Sequence, residues 1–249
     1  MKIDITGKRA IVAGGSRGIG RAIALAFAEA GAGVSICARG AESLRATREE
    51  IASLGGAAHA AVCDLSDAAA VPRYIEEAAG ALGGIDILVN NASGFGTSDD
   101  EAGWAVSISV DLLATVRASR AALPFLEKSD SGTILNISSI SGLRATPRTP
   151  PYAAVKAAVI EYTLTQAAAL ARKGIRVNGI APGSIEFPGG TWARAKAYNP
   201  DLYGRILRSI PFGRLGRPEE IAQVALFLCS PLASWVTGQN IAVDGGQML

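Results

Sequence analysis

Short apolar runs rich in valine and isoleucine alternate along the chain with longer, alanine-rich segments in which apolar residues recur every three or four positions. The short runs are typical of parallel strands that are covered on both faces, and the longer segments are typical of the helices that cover them. The pattern therefore predicts an α/β fold with repeated βα units around one parallel, doubly wound sheet. Seven strands are predicted, at 9–13, 33–38, 57–63, 85–90, 133–138, 176–181 and 241–243. The helices are predicted at 19–30, 41–54, 68–82, 101–126, 152–172 and 218–229.

No linker interrupts this alternation, so residues 1–249 are predicted to form a single domain. Residues 146–151 (TPRTPP) predict a rigid loop before a helix, and the Pro- and Gly-rich residues 184–211 predict a long irregular insertion. Long loops in compact α/β domains are usually functional, so we expect this insertion to cover a substrate pocket; simple packing of its aromatic residues is the alternative. The side chains concerned are Trp192, Tyr198 and Tyr203 in the insertion, and Phe95, Leu143 and Arg144 at the border of the pocket.

Composition argues against several classes of partner. Lys and Arg number 24 against 22 Asp and Glu, and these charges are interspersed, which argues against nucleic acid or a membrane surface. No run reaches the roughly 18 apolar residues of a membrane span, and Gly14 and Gly15 interrupt the N-terminal run before a signal-peptide core could form. Cys37, Cys63 and Cys229 lie far apart without metal-binding spacing, which fits a reducing compartment. We therefore expect a cytoplasmic protein without a metal site.

The first predicted strand runs into the turn Gly14-Gly15-Ser16-Arg17-Gly18-Ile19-Gly20, and a helix follows at once. A helix N-terminus presents unpaired N–H groups and a positive dipole end, and glycines let a pyrophosphate approach them closely. The turn therefore predicts a dinucleotide phosphate site, although its G-x-x-x-G-x-G spacing differs from the more common G-x-G-x-x-G. The alternative is a glycine-rich turn that closes a βα unit without a ligand.

The residue after the second strand distinguishes the two nicotinamide cofactors. An acidic residue there would accept hydrogen bonds from the adenine ribose of NAD(H) and repel a 2′-phosphate. This chain has Cys37-Ala38-Arg39-Gly40 instead. Arg39, together with Arg17 in the glycine turn, would pair with a 2′-phosphate, so the sequence favours NADP(H). A single arginine is more often a solvated surface residue, but two at the expected positions favour the phosphate.

Tyr152 and Lys156 lie one helical turn apart at the start of a predicted helix. A nearby ammonium group stabilises a phenolate, which makes the tyrosine a usable proton donor or acceptor near neutral pH. The pair alone is a weak signal, because both residue types are common on helix surfaces. Ser139 strengthens the signal, because it follows the carboxyl end of a predicted parallel strand, where a cofactor crevice forms. Its hydroxyl would donate a hydrogen bond to a substrate carbonyl.

Together these features resemble the short-chain dehydrogenase/reductase family over essentially the whole chain. The resemblance implies a Rossmann-type sheet, usually a homotetramer, and hydride transfer between a nicotinamide and a small-molecule alcohol or carbonyl compound. The matching motifs are the glycine turn AGGSRGIG, Asp64, Asn90-Asn91-Ala92, Ser139, Tyr152 with Lys156, Pro182-Gly183 and the ending VDGGQ.

The resemblance also implies a role for each matching residue. Tyr152 would protonate the carbonyl oxygen, Ser139 would orient and polarise the carbonyl, and Lys156 would hold the nicotinamide ribose and act on Tyr152. The cofactor would lie against Gly14, Ser16, Arg17, Gly18, Ile19, Gly20, Arg39, Asp64, Leu65, Asn90, Asn91, Ala92, Tyr152, Lys156, Pro182, Gly183 and Ile185.

Two departures from the family pattern concern the chemistry. Asp111 stands where the family has a catalytic asparagine, so we include it among the catalytic residues. Its carboxylate could accept from the water that the asparagine helps to hold, or it could pair with Lys156 and alter the pKa of that lysine. Phe187 replaces a threonine, so a cofactor contact of that hydroxyl would be lost, or replaced by Ser184 or Thr191.

The leading hypothesis is an NADPH-dependent carbonyl reductase that acts reversibly on a small or medium ketone. A 3-oxoacyl-thioester reductase would use the same residues. A basic patch that docks an acidic carrier protein would distinguish it, but Arg144, Arg148, Arg172 and Lys173 are too few to decide. A third hypothesis is an NADP(H)-binding sensor with little turnover, which the two departures favour and the intact Ser, Tyr and Lys oppose.

Overall fold

The structure of the protein is a computed structural model that describes residues 3–249, so residues 1 and 2 of the predicted domain lie outside the described residues. Its strands are β1 (Arg9–Ala13), β2 (Gly33–Ala38), β3 (Ala58–Val62), β4 (Ile87–Asn90), β5 (Thr133–Ile137), β6 (Arg176–Pro182) and β7 (Asn240–Val243). They form one parallel sheet in the order β3-β2-β1-β4-β5-β6-β7. The order reverses between β1 and β4, and in such sheets a crevice opens at the carboxyl ends of the strands at that point.

Helices cover both faces of the sheet, so the predicted doubly wound fold with seven parallel strands is confirmed. The helices are α1 (Gly18–Glu29), α2 (Ala41–Ser53), α3 (Ala70–Leu82), α4 (Glu101–Val106), α5 (Ala114–Leu126), α6 (Pro150–Leu170), α7 (Thr191–Tyr198), α8 (Pro200–Arg208) and α9 (Pro218–Cys229). One buried cluster, around Phe27, joins the sheet to α1, α2 and α9. The other, around Ile75 and Leu126, joins it to α3, α5 and α6. These two apolar layers hold the strand ends of the crevice in place.

The segment 101–126 is helical throughout, but the prediction of one regular helix is wrong in its middle. A π-helical turn over Ser107–Leu113 separates α4 from α5. Such turns widen a helix by one residue and occur frequently at functional sites. Here the turn contains the buried Asp111, whose carboxylate contacts a lysine of α6.

The prediction of an irregular insertion at 184–211 is also wrong, because this segment contains α7 and α8. Pro200 occupies the first turn of α8, where a missing N–H costs nothing. The side chain of Asn199 accepts a hydrogen bond from the N–H of Leu202 at 3.2 Å and caps the helix. A proline that predicts a break in the sequence therefore begins a helix. Neither α7 nor α8 contains a buried residue, so both lie on the surface of the domain.

An ion pair connects β1 and β4 at their amino ends, opposite the crevice. Arg9 donates from Nε and from a terminal nitrogen to the carboxylate of Asp86, each at 2.8 Å, and Ser129 donates to the same group at 2.6 Å. Burial by itself would raise the pKa of Asp86, but these hydrogen bonds outweigh it and lower that pKa to about 2. The pair therefore stabilises the fold at neutral pH.

All three cysteines are buried and none forms a disulfide. No helix in residues 3–249 combines the length and apolar character needed to cross a bilayer. The same residues contain no group of three or more His, Cys, Asp or Glu side chains that could hold a metal ion.

Candidate active site

The glycine turn connects the end of β1 to the first turn of α1. Gly14 and Gly18 have φ angles of 77° and 54°, in the left-handed region that favours glycine. A Cβ atom at Gly20 would collide with the carbonyl oxygen of Gly14 and with the side-chain amide of Asn91. The glycines thus allow α1 to begin directly against the loop after β4, which brings together residues that the sequence analysis assigns to one site.

The first turn of α1 lines a cavity of about 550 Å³. Arg17 precedes the helix in an extended conformation, its side chain does not cap the helix, and the first turn contains no acidic residue. Within the described residues, the positive end of α1 therefore has no anion of its own, which is the arrangement of a phosphate site. The cavity is also lined by Gly14, Ser16, Ile19, Gly20, Arg39, Asp64, Leu65, Asn91 and Ala92, all predicted cofactor contacts.

The charged groups in the wall of this cavity are Arg17, Arg39 and Asp64, and all three are exposed. Asp64 accepts hydrogen bonds from the backbone N–H of Ser66 at 2.9 Å and from its hydroxyl at 2.8 Å. These bonds, and more weakly the charge of Arg39, hold the pKa of Asp64 below its usual range. The cavity thus offers two cations and one fixed acceptor to a nucleotide.

Ser139, Tyr152 and Lys156 lie together in the wall of a larger cavity of about 720 Å³. Ser139 follows the end of β5 by two residues, and Tyr152 lies in the first turn of α6, which Pro150 begins. The Nζ atom of Lys156 lies 5.6 Å from the centroid of the Tyr152 ring. A hydroxyl, a phenol and an ammonium group therefore converge at the carboxyl edge of the sheet.

Asp111 lies behind Lys156 and is not in the wall of either cavity. Its Oδ1 atom is 3.1 Å from Nζ of Lys156, a close ion-pair contact, and both side chains are buried. Its Oδ2 atom accepts the backbone N–H of Gly94 at 2.9 Å. Two roles were considered for this carboxylate, and the structure shows the contact with Lys156. Asp111 therefore acts on the site through the lysine, and its part in catalysis stays a prediction.

The position of Lys156 is fixed by two contacts. Besides the ion pair with Asp111, Nζ donates to the backbone carbonyl of Ile137 at 3.0 Å. Burial lowers the pKa of this ammonium group, but the charges of Asp111 and Tyr152 outweigh burial, so the pKa of Lys156 is raised. The lysine therefore stays protonated at neutral pH in spite of its burial.

Two phenylalanines shape the junction of the cavities. Phe95, at a positive φ of 51°, packs the edge of its ring against Tyr152 with the ring centroids 4.8 Å apart. The ring of Phe187 lies over Gly18, so close that a Cβ atom there would overlap it, and Phe187 lines both cavities. Ser184 and Thr191, the hydroxyl residues considered as replacements for the family threonine, both line the larger cavity.

The remaining predicted contacts divide between the cavity and the core. Pro182, Gly183 and Ile185 line the larger cavity. Asn90 lines neither cavity; it is buried, and its amide donates to Asn136 at 2.8 Å. The structure therefore gives the amide nitrogen of Asn90 a partner in the core, and its assignment as a cofactor contact stays a prediction.

Part of the wall of the larger cavity comes from residues that were not predicted to line it, chiefly in α8 and the rigid loop. Leu202 and Ile206 of α8 line the larger cavity, and so do Arg148 and Gln247. The apolar residues at positions i and i+4 in LYGRI were an available signal for a helix face. Trp192 and Arg144 line the cavity as expected, whereas Tyr198 and Tyr203 do not.

Comparison with known proteins identifies the family. A family model described as enoyl-(acyl carrier protein) reductase matches residues 13–248. The 7alpha-hydroxysteroid dehydrogenase of Escherichia coli K12 is 38% identical over 98% of this chain and 95% of its own length. The 3-oxoacyl-(acyl-carrier-protein) reductase of Thermotoga maritima is 37% identical over 98% of this chain and 99% of its own length. The chain belongs to the short-chain dehydrogenase/reductase family and is an oxidoreductase.

Two solved structures share the fold closely. A 7alpha-hydroxysteroid dehydrogenase complexed with NADH and 7-oxo glycochenodeoxycholic acid superposes with a TM-score of 0.92 at 38% identity, and the match covers 98% of this chain and 96% of that one. The RhlG/NADP active-site complex of Pseudomonas aeruginosa has a TM-score of 0.91 at 35% identity, with coverage of 100% and 99%. These relatives support a nicotinamide cofactor, and they include both NADH and NADP complexes.

Proposed function

We propose that the protein is an NADP(H)-dependent oxidoreductase that interconverts a small or medium ketone and its secondary alcohol. The observation that carries this proposal is the convergence of Ser139, Tyr152 and Lys156 in a cavity that shares Ile19 and Asn91 with the glycine-turn cavity. A carbonyl compound in the larger cavity and a nicotinamide dinucleotide along the first turn of α1 would then meet in one crevice.

The residues around the glycine turn fit this cofactor. The uncapped N-terminus of α1 suits a pyrophosphate, and Asp64 suits the hydrogen-bond donors of an adenosine. Arg17 and Arg39 give the same cavity two forked donors suited to a 2′-phosphate, which supports NADP(H) over NAD(H). When bound, the cofactor supplies the hydride for the carbonyl carbon or accepts it in the reverse direction.

Each side chain of the catalytic group has a separate task. The hydroxyl of Ser139 orients the carbonyl by a hydrogen bond to its oxygen, and the phenol of Tyr152 donates its proton to that oxygen as negative charge develops there. The charge of Lys156 stabilises the phenolate that is left. Asp111 keeps this buried lysine charged and in place through its contact with Nζ.

A 3-oxoacyl-thioester reductase is the second candidate, because the Thermotoga maritima relative carries that name. The four basic residues considered as a carrier-protein patch do not lie together. Arg144 and Arg148 line the larger cavity near the start of α6. Arg172 and Lys173 follow the other end of this 21-residue helix, about 30 Å away by its rise, and Lys173 is paired with Glu127.

We also propose a cytoplasmic homotetramer. Trp235, Leu232 and Leu164 are exposed apolar side chains, and Ile108 and Leu113 are exposed within the π-helical turn. Apolar groups of this size are typical of surfaces that another subunit covers. Light scattering after size-exclusion chromatography tests this: we expect a tetramer for the natural chain and smaller species for Trp235→Ser, and a natural chain that stays monomeric would contradict the proposal.

The proposed function is tested by following the absorbance of the reduced nicotinamide. NADPH and NADH are compared side by side with ketones, keto esters, quinones and 3-oxoacyl thioesters. We expect turnover that prefers NADPH and that is highest with one carbonyl class. Absence of turnover with every class, while NADPH binding is detected by fluorescence, would instead favour the sensor with little turnover.

A further inference from the structure

The charged side chains in the wall of the larger cavity have one sign. They are Arg144, Arg148 and Lys156, and no Asp or Glu of residues 3–249 lines this cavity. The charge of Lys156 is already balanced, because Asp111 contacts its Nζ atom from behind at 3.1 Å. The two arginines therefore set the charge that a bound substrate meets.

A turn fixes the backbone at Arg148, and a hydrogen bond fixes the side chain of Arg144. Arg148 lies in the turn Thr146–Thr149, which is closed by a 3.1 Å hydrogen bond between its end residues and contains Pro147, whose φ is fixed by its ring. Arg144 donates from Nη1 to the backbone carbonyl of Gln247 at 3.0 Å, so its remaining N–H groups are left for a ligand. Neither side chain makes an ion pair within the described residues.

The segment that covers the cavity has the same sign of charge. Between residues 184 and 211 the chain carries four cations, Arg194, Lys196, Arg205 and Arg208, and two carboxylates, Glu186 and Asp201. Lys196 pairs with Glu186 at 3.4 Å, which leaves three arginines against Asp201. The local excess of +2 in these residues equals the net charge of +2 of the whole chain. The rest of the wall is largely apolar, with Ile140, Ile185, Trp192, Leu202 and Ile206.

We propose that the natural substrate is a carbonyl compound with an apolar body and an anionic group, and that Arg144 and Arg148 bind this anion at the mouth of the cavity. This inference rests on the proposed function, since it names the substrate class of the same site. The anion is a carboxylate on the substrate itself or a phosphate on a thioester carrier. In either case, forked N–H donors and a positive field favour it over a neutral analogue.

Binding tests the inference without any need for turnover. Isothermal titration of the enzyme loaded with NADP+ compares a medium-chain methyl ketone that ends in a carboxylate with the methyl ester of the same compound. We expect the acid to bind about 10-fold or more tightly, because hydrogen bonds to charged groups lie in that range, and we expect added salt to reduce the difference. The double variant Arg144→Gln, Arg148→Gln should lose this preference and still bind the ester, whereas the control Arg172→Gln should keep it. Equal binding of acid and ester to the natural enzyme would overturn the inference.

Turnover separates the two sources of the anion and also separates this inference from the proposed function. The second pair of compounds is a 3-oxoacyl coenzyme A thioester and its N-acetylcysteamine analogue, which lacks the phosphates. If the keto acid has a larger kcat/KM than its methyl ester, the anion is a carboxylate on the substrate. If the coenzyme A thioester has a larger kcat/KM than the N-acetylcysteamine analogue, the anion is a phosphate on the carrier. Either result supports the inference. If the acid binds more tightly than the ester but no compound is turned over, the proposed function fails and the anion site stands.

Discussion

The change of Asp111 to Asn tests how the buried ion pair supports the site. The carboxylate meets two donors at once: Oδ2 accepts the N–H of Gly94 at 2.9 Å, and Oδ1 is 3.1 Å from Nζ of Lys156. An amide of the same shape has one acceptor oxygen and presents N–H groups on its other side. It can therefore satisfy Gly94 or Lys156, but not both, and it removes the negative charge beside a buried ammonium group.

The loss of stability expected for Asp111→Asn follows from these two contacts. Loss of one partner of a buried ion pair costs roughly 3–5 kcal/mol, and retention of one hydrogen bond places Asp111→Asn near the lower end, about 3 kcal/mol. For a chain of this length, that corresponds to a fall in Tm of roughly 6–12 °C. Because the pKa of Lys156 is raised in the folded state, the stabilisation is complete at neutral pH and is lost as the pH rises through that value. The difference between natural and variant proteins should therefore be full at pH 7 and shrink at strongly alkaline pH.

The assay is thermal unfolding of both proteins at one fixed protein concentration, because subunit association also changes Tm. Asp130→Asn is the matched control, since Asp130 is exposed. The pH profile of kcat gives a second readout: without the carboxylate, burial lowers the pKa of Lys156, so the alkaline limb should move to lower pH. A Tm within about 2 °C of the natural protein, together with an unchanged alkaline limb, would refute this account of the pair.

Three further changes test other parts of the molecule. Tyr152→Phe should lower kcat by roughly 10²- to 10⁴-fold while NADPH still binds, because the proton donor is gone. A near-normal kcat would contradict this prediction. Tyr162→Phe, on the same helix, is the control. Arg39→Asp should weaken NADPH by about 10- to 100-fold and NADH far less, measured by fluorescence titration, and equal losses would argue against a 2′-phosphate site. Asp86→Asn should lower the free energy of unfolding in urea by about 2 kcal/mol at pH 7, because the pKa of Asp86 is lowered to about 2 in the folded state. The difference between the natural and variant proteins should vanish as the pH falls from about 4 through 2. A difference that does not depend on pH would contradict this prediction.

The fold could be predicted from the sequence because its signals are local. Buried parallel strands require continuous apolar runs, and the glycine turn and the Tyr152–Lys156 spacing are each contained in a few consecutive residues. The strand bounds were accurate within two residues for the same reason.

The parts that could not be predicted depend on contacts between distant segments. The π-helical turn does not differ in periodicity from its flanking helices. Pairing of Asp111 with Lys156 was one of two roles that the sequence left open, because the contact joins two helices that are distant in the chain. A proline such as Pro200 can end a helix or begin one. Here it begins α8, because the side chain of Asn199 caps the helix N-terminus. The hydrogen bond from the amide nitrogen of Asn90 to Asn136 likewise joins two strands that lie far apart in the sequence.

The central claim is that this chain transfers hydride to a carbonyl carbon with Tyr152 as the proton donor. Its most direct test is the deuterium content of the alcohol formed from a ketone and NADPH labelled at C4 of the nicotinamide, measured by mass spectrometry with each of the two labelled epimers. The account predicts one deuterium on the carbinol carbon from one epimer with the natural enzyme, and very little labelled alcohol with Tyr152→Phe. Alcohol without deuterium from either epimer, or equal amounts of labelled alcohol from the Tyr152→Phe variant, would contradict it.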